Sequence, residues 1–117
     1  MNEKTRRAIE THIERIIKEF RFENQRADNL EKCPCYAQNK PCHNIPLEEF
    51  NCLLCFCPEY NTSNSEGGCK IPEKGKGEWF YHPSHQTGRI WDCSNCGYPN
   101  REEIVREYLK AIFSLNE

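Results

Sequence analysis

Residues 51–58 read Asn-Cys-Leu-Leu-Cys-Phe-Cys-Pro and place Cys52, Cys55 and Cys57 within six residues, in the pattern C-x-x-C-x-C. A run of this kind binds metal through thiolates, closes disulfides or carries redox chemistry. The choice among these constrains the fold. In a chain of 117 residues with a modest apolar fraction, a polar, loop-rich middle needs staples, and those are disulfides or metal. Prolines at 34, 41, 46 and 58 interrupt the same region and disfavour long regular elements there. Cys33, Cys35, Cys42, Cys69, Cys93 and Cys96 bring the cysteines to nine.

Metal is the preferred staple. The first residues run directly into a charged helical pattern with no apolar leader segment, and no apolar run is long enough to span a bilayer. The expectation is a cytoplasmic chain without a membrane partner, in a compartment where structural disulfides are disfavoured. An odd number of cysteines also fits poorly with full disulfide pairing. The 16 Lys and Arg against 18 Asp and Glu argue against a nucleic-acid surface, which shows as a basic excess. No glycine-rich phosphate-binding motif is present, so nucleotide binding has no support from motifs.

The regular elements lie mainly at the ends. Ile9, Ile13, Ile16, Ile17 and Phe20 recur at helical spacing and predict an amphipathic helix over 3–20, with Asn2 as its N-cap. Residues 21–32 are expected to extend or end it. Leu47 and Phe50 are expected to turn inward from one helical turn at 46–50. Residues 59–77 read as loop. Residues 78–82 and 89–91 predict the strands of a hairpin whose second strand leads into the knuckle Cys93-Ser94-Asn95-Cys96. A second amphipathic helix is expected over 100–115, capped by Asn100 with Glu103 at the capping-box position. The fold class is therefore a small metal-stabilised α+β domain, with a zinc-ribbon-like cysteine-rich centre, a β-hairpin and an amphipathic helix at each end. Residues 1–32 form the N-terminal helix and linker, and 33–117 the cysteine-rich domain with its C-terminal helix.

A tetrahedral zinc site takes four Cys or His ligands. The preferred set joins the two C-x-x-C units, Cys52 and Cys55 with Cys93 and Cys96. A second site would use Cys57, Cys42 and one of Cys33 or Cys35, completed by His43 or Cys69. Among the nine, Cys69 and one of Cys33 and Cys35 are the first candidates to be unliganded. His82 and His85 read as loop histidines. An iron–sulfur cluster is the chemical rival, because four cysteines also hold a cubane.

From Pro41 to about Leu109 the chain resembles the cysteine-rich small domain, a zinc-finger-like family of bacteria and archaea. The strings that carry the resemblance are Pro41-Cys42-His43, Phe50 through Pro58, and Trp91-Asp92-Cys93-Ser94-Asn95-Cys96. The resemblance implies metal binding by these cysteines and an association with cobalamin biosynthesis. It implies no defined catalytic activity. The chain departs from the family in the longer spacing from Cys35 or Cys33 to Cys42, and in Asn100, where relatives often carry His. The functional expectation is an accessory or binding module with two structural zinc ions and a protein partner, more readily a non-enzyme than an enzyme. The alternatives are an iron–sulfur or thiol redox protein, and a metal chaperone or corrinoid-pathway enzyme.

Overall fold

The computed structural model describes residues 1–93 and 95–115, so Ser94 of the second knuckle lies outside the described residues. Helix α1 spans Glu3–Glu19, and Asn2 caps it as expected, its side chain accepting from Thr5 N–H at 2.8 Å. The isoleucine stripe faces inward, with Ile13 and Ile17 fully buried.

The chain does not continue α1 through residue 32 unbroken. Arg21 is extended, and a separate helix α2 runs over Phe22–Asp28. The cause is local. The last carbonyls of a helix need outside donors, and three side-chain amides supply them. Asn51 Nδ2 donates to Ile17 O at 2.8 Å, Asn24 Nδ2 to Lys18 O at 2.7 Å, and Gln25 Nε2 to Glu19 O at 2.9 Å. Helix α3, Pro34–Gln38, starts on a proline and ends at Asn39, which takes the left-handed conformation (φ 52°). A 3-10 turn follows at Leu47–Glu49. Phe50 is 2% exposed, as expected; Leu47 is 49% exposed and does not turn inward.

Strands β1 (Glu78–Tyr81) and β2 (Arg89–Asp92) form the expected antiparallel hairpin, with Trp79 opposite Trp91. Their rings meet edge to face at 5.1 Å, and the Arg89 guanidinium lies 3.8 Å over Trp79. The loop from 59 to 77 is pinned to this hairpin. Trp91 N–H donates to Glu66 O at 2.7 Å, Tyr60 Oη to Trp91 O at 2.7 Å, and Arg89 pairs with the Glu66 carboxylate at 2.9 Å.

Helix α4 spans Glu102–Ile112 and begins at Arg101, so Asn100 is not its cap. Asn100 ends a 3-10 turn (Tyr98–Asn100) and is 2% exposed. Its Nδ2 donates to Asn51 O at 3.1 Å, and its own carbonyl accepts from Asn51 N–H at 2.7 Å. Pairing two buried asparagines satisfies backbone groups that a helix start would have left to solvent.

Two apolar clusters result. Ile13 and Ile17 of α1 meet Val105 and Leu109 of α4 and Leu115, joined by Leu53 and Leu54. Phe22, Tyr36, Ile45 and Phe50 form the second cluster, against which Cys33, Cys35 and Cys52 pack. The run 51–58 is thus gripped on both sides. Ion pairs Arg21–Glu102 (2.7 Å) and Arg106–Glu14 (2.8 Å) tie α4 to the N-terminal segment. The architecture is α+β, with four α-helices and a two-stranded antiparallel hairpin among the described residues, and no described helix is long and apolar enough to cross a membrane.

Candidate metal centres

All nine cysteines are free thiols. They gather around two cavities. One, of about 190 Å³, is lined by Cys55, Cys57, Cys69, Cys93 and Cys96, with Trp91, Tyr60 and His43 among its other walls. The other, of about 250 Å³, is lined by Cys33, Cys35, Cys42, Cys52 and Cys55. Cys55 touches both.

This grouping differs from the expected one. Cys55 lines the cavity of Cys93 and Cys96 but Cys52 does not, and Cys57 and Cys42 line different cavities. Two backbone pairings explain the difference. Cys52 N–H donates to Phe20 O at 2.8 Å, which fixes Cys52 beside α2 and α3. Tyr60 and Cys69 face each other in an isolated antiparallel bridge, flanked by Asn61 N–H to Gly68 O (2.8 Å) and Lys70 N–H to Glu59 O (2.9 Å). That bridge delivers Cys69 to Cys57. Tyr108 Oη, from α4, donates to the Glu59 carboxylate and holds the same segment from the other side.

The cavity of Cys57, Cys69, Cys93 and Cys96 supplies N–H donors to its sulfurs. Ile71 N–H donates to Cys69 Sγ at 3.4 Å. Burial pushes the Cys57 thiol up, the Glu59 N–H holds it down, and Cys96 and Cys69 raise it further. Burial likewise raises Cys93, with Cys96 adding to the rise and the Trp91 indole opposing it. That indole Nε1 is buried and makes no hydrogen bond of standard geometry among the described residues. Gly77 makes the indole's position accessible, since a Cβ there would lie 2.6 Å from Trp91 Cζ2. Cys96 is buried, and a Cβ on Gly75 would sit 3.4 Å from its sulfur and 3.7 Å from that of Cys69.

The cavity of Cys33, Cys35, Cys42 and Cys52 is built differently. Cys33 is the residue before α3 and Cys35 lies in its first turn. Burial raises the Cys52 thiol, Tyr36 Oη lowers it, and Cys55, Cys33 and Cys35 raise it. Burial and then Cys33 raise Cys35. Cys42 is exposed as a residue, yet the crowding around its sulfur pushes it up to about 11, with Cys35 and Cys55 adding to the effect. Asn100 lines this cavity, and its Oδ1 is a buried acceptor without a partner among the described residues.

Among the described residues, no group of three or more His, Cys, Asp or Glu side chains stands in an arrangement that could hold a metal ion. The thiols surround their cavities without converging on a point. The donor atoms around both cavities are cysteine sulfurs. Burial and mutual repulsion disfavour thiolates in both cavities, and a divalent cation reverses both effects while deprotonating the sulfur. Thiolate formation would also give the orphaned Trp91 N–H a strong acceptor.

The sequence-predicted residues divide accordingly. Cys57, Cys69, Cys93 and Cys96 line one cavity, with His43 on its wall, Cys33, Cys35, Cys42 and Cys52 line the other, and Cys55 lines both. His82 accepts from Ser84 N–H through Nδ1 at 3.1 Å, as a loop histidine does. Trp91, Tyr36 and Asn100 are the cavity residues that sequence reasoning did not assign to a centre. Trp91 precedes Cys93 by two residues and Tyr36 follows Cys35, so proximity in sequence was the available signal.

No protein-family model matches the chain, and no solved structure matches it. An uncharacterised protein of the archaeon Methanocaldococcus jannaschii is 31% identical over 77 residues, which cover 66% of this chain and 53% of that protein. The chain therefore matches about half the length of this curated relative.

Proposed function

We propose that this chain is a metal-binding protein whose fold is completed by two thiolate-held ions, zinc in the first instance. The carrying observation is that Cys57, Cys69, Cys93 and Cys96 line one cavity, where Ile71 N–H donates to Cys69 Sγ and the Glu59 N–H lowers the Cys57 thiol. Four thiolates form a complete tetrahedral zinc set with no position left open for substrate, so that centre is structural. The second ion draws its ligands from Cys33, Cys35, Cys42, Cys52 and Cys55. The role is that of an accessory module acting with a protein partner, in keeping with the cysteine-rich small domain that the sequence resembles. A link to cobalamin metabolism rests on that resemblance alone.

Metal analysis of freshly purified protein tests this. Two equivalents of zinc, with loss of ordered structure on chelation, are expected, since thiolate sites of this type couple metal binding to folding. Colourless protein containing no metal would refute it. Iron together with broad visible absorption in anaerobically prepared protein would replace zinc by an iron–sulfur cluster.

A further inference from the structure

The open face beside the second knuckle carries a charge pattern that the cysteine centres do not use. Two grooves, of about 270 Å³ and 470 Å³, share Asn44, Ile45 and Asn95 and so form one continuous depression. Lys40, Lys74, Lys76 and Arg101 border it, and no Asp or Glu is among its described lining residues. That runs against a chain with 18 Asp and Glu and 16 Lys and Arg. The groove at Arg21 and Arg26, of about 590 Å³, shows the ordinary case, with Glu23 and Glu48 standing beside the two arginines.

Separate segments are brought together to make this pattern. Lys40 follows the left-handed Asn39 that ends α3, and its N–H donates to Cys35 O at 3.1 Å. Lys74 and Lys76 flank Gly75, which lies so close to the second knuckle that a Cβ on it would stand 3.4 Å from Cys96 Sγ. Arg101 is the residue before α4. Gly97 and the buried Ile45 close the floor, where a Cβ on Gly97 would stand 3.1 Å from Ile45 Cγ2. Lys40, Lys74 and Lys76 are exposed and make no ion pair among the described residues. Arg101 reaches Glu49 only at 3.9 Å, a weak contact that leaves guanidinium donors over for another partner.

We propose that this groove binds a small ligand carrying two phosphoryl groups. Like charges gathered without counter-charges repel one another, and an anion held among them removes that repulsion. A phosphoryl group carries about −1.5 to −2 charges, so two of them match the four cations. The lysines serve phosphate oxygens as point charges and Arg101 as a planar fork, with the amides of Asn44 and Asn95 as neutral donors where the two grooves join. The volumes are of the order of a small-molecule site. The near balance of charge over the whole chain gives no extended basic stripe for a nucleic-acid backbone. Ligand capture here uses no cysteine sulfur and so stands or falls separately from metal binding.

The test is isothermal titration calorimetry of the full chain, as purified, with inorganic pyrophosphate. One equivalent should bind, and raising salt from about 0.05 M to about 0.5 M should weaken it at least about tenfold. Lys40→Gln, Lys74→Gln and Lys76→Gln should each weaken it about fivefold, the worth of one exposed ion pair. Lys4→Gln, on α1 and outside the groove, should leave it unchanged.

No saturable binding at millimolar pyrophosphate would overturn the proposal. So would an affinity unchanged in all three groove variants, since pyrophosphate would then be drawing on bound metal or on another surface. Equal affinity for citrate would show a site for negative charge alone and overturn the phosphoryl assignment. Binding of single-stranded RNA without binding of pyrophosphate would replace the small ligand by a nucleic acid.

Discussion

Asn51 is the residue through which the cysteine run is fastened to the helical core, and replacing it by alanine has a cost that can be worked out. Its side chain is fully buried and makes two hydrogen bonds, Nδ2 to Ile17 O at 2.8 Å and Oδ1 from Leu53 N–H at 3.0 Å. The first satisfies a carbonyl of the last turn of α1. The second fixes the turn between Cys52 and Cys55. Asn51→Ala leaves the Ile17 carbonyl, buried, and the Leu53 N–H, half-buried, without these bonds. A buried group left unpaired costs about 1–3 kcal/mol and a half-buried one less, so the total is about 1–4 kcal/mol. That is a large share of the ~5–15 kcal/mol available to a small domain.

The comparison variant is Asn24→Ala. Asn24 serves the neighbouring carbonyl, Lys18 O, at 2.7 Å, but it does so in an exposed position. Water replaces its amide, and the change should stay within about 0.5 kcal/mol. Urea unfolding followed by circular dichroism measures both, in solution with free zinc buffered so that metal occupancy is constant. The reasoning fails if the two variants unfold within about 0.5 kcal/mol of each other.

Other consequences can be checked separately. Cys69→Ser should remove the ion of the four-thiol centre alone, leaving one zinc equivalent by mass spectrometry; loss of both would show that the centres are not separable. Gly77→Ala forces a Cβ into the Trp91 ring at 2.6 Å, so Trp91 emission should shift. Gly88→Ala should leave that emission unchanged, because nothing lies within 4 Å of its Cβ position; the strain there comes from φ of 85°. Glu14 is held below the usual carboxylate range mainly by its hydrogen bond to Arg106. A depressed folded-state pKa contributes stability above the unfolded value that is lost as pH falls through the folded one. Glu14→Gln should therefore flatten the acid limb of a stability–pH curve slightly, the effect being small because Glu14 is half exposed. An unchanged acid limb would show that the pair contributes nothing.

The ends of the chain were legible because they are periodic. The isoleucine spacing of α1, its Asn2 cap and the aromatic hairpin each follow from a local rule. The break at Arg21 was not, because it depends on three amides closing one helix end, and Asn51 comes from thirty residues downstream. Asn100 has the composition of an N-cap and became a buried partner of Asn51, a tertiary use that propensity does not register. The cysteine grouping was hidden for a related reason. The spacing of C-x-x-C units suggests which cysteines are alike, while their meeting in space is decided by the Tyr60–Cys69 bridge inside a segment that reads as plain loop. Cys69 was expected either to complete the second site or to be unliganded, and it lines the cavity of Cys57, Cys93 and Cys96.

The most direct measurement is a crystal structure of the zinc-loaded chain with anomalous data collected at the zinc edge. Two anomalous peaks are expected. One is surrounded by the sulfurs of Cys57, Cys69, Cys93 and Cys96, and the other by four sulfurs drawn from Cys33, Cys35, Cys42, Cys52 and Cys55. A single ion bound by Cys52 and Cys55 together with Cys93 and Cys96, or a map with no zinc peak at either cavity, would contradict the assignment.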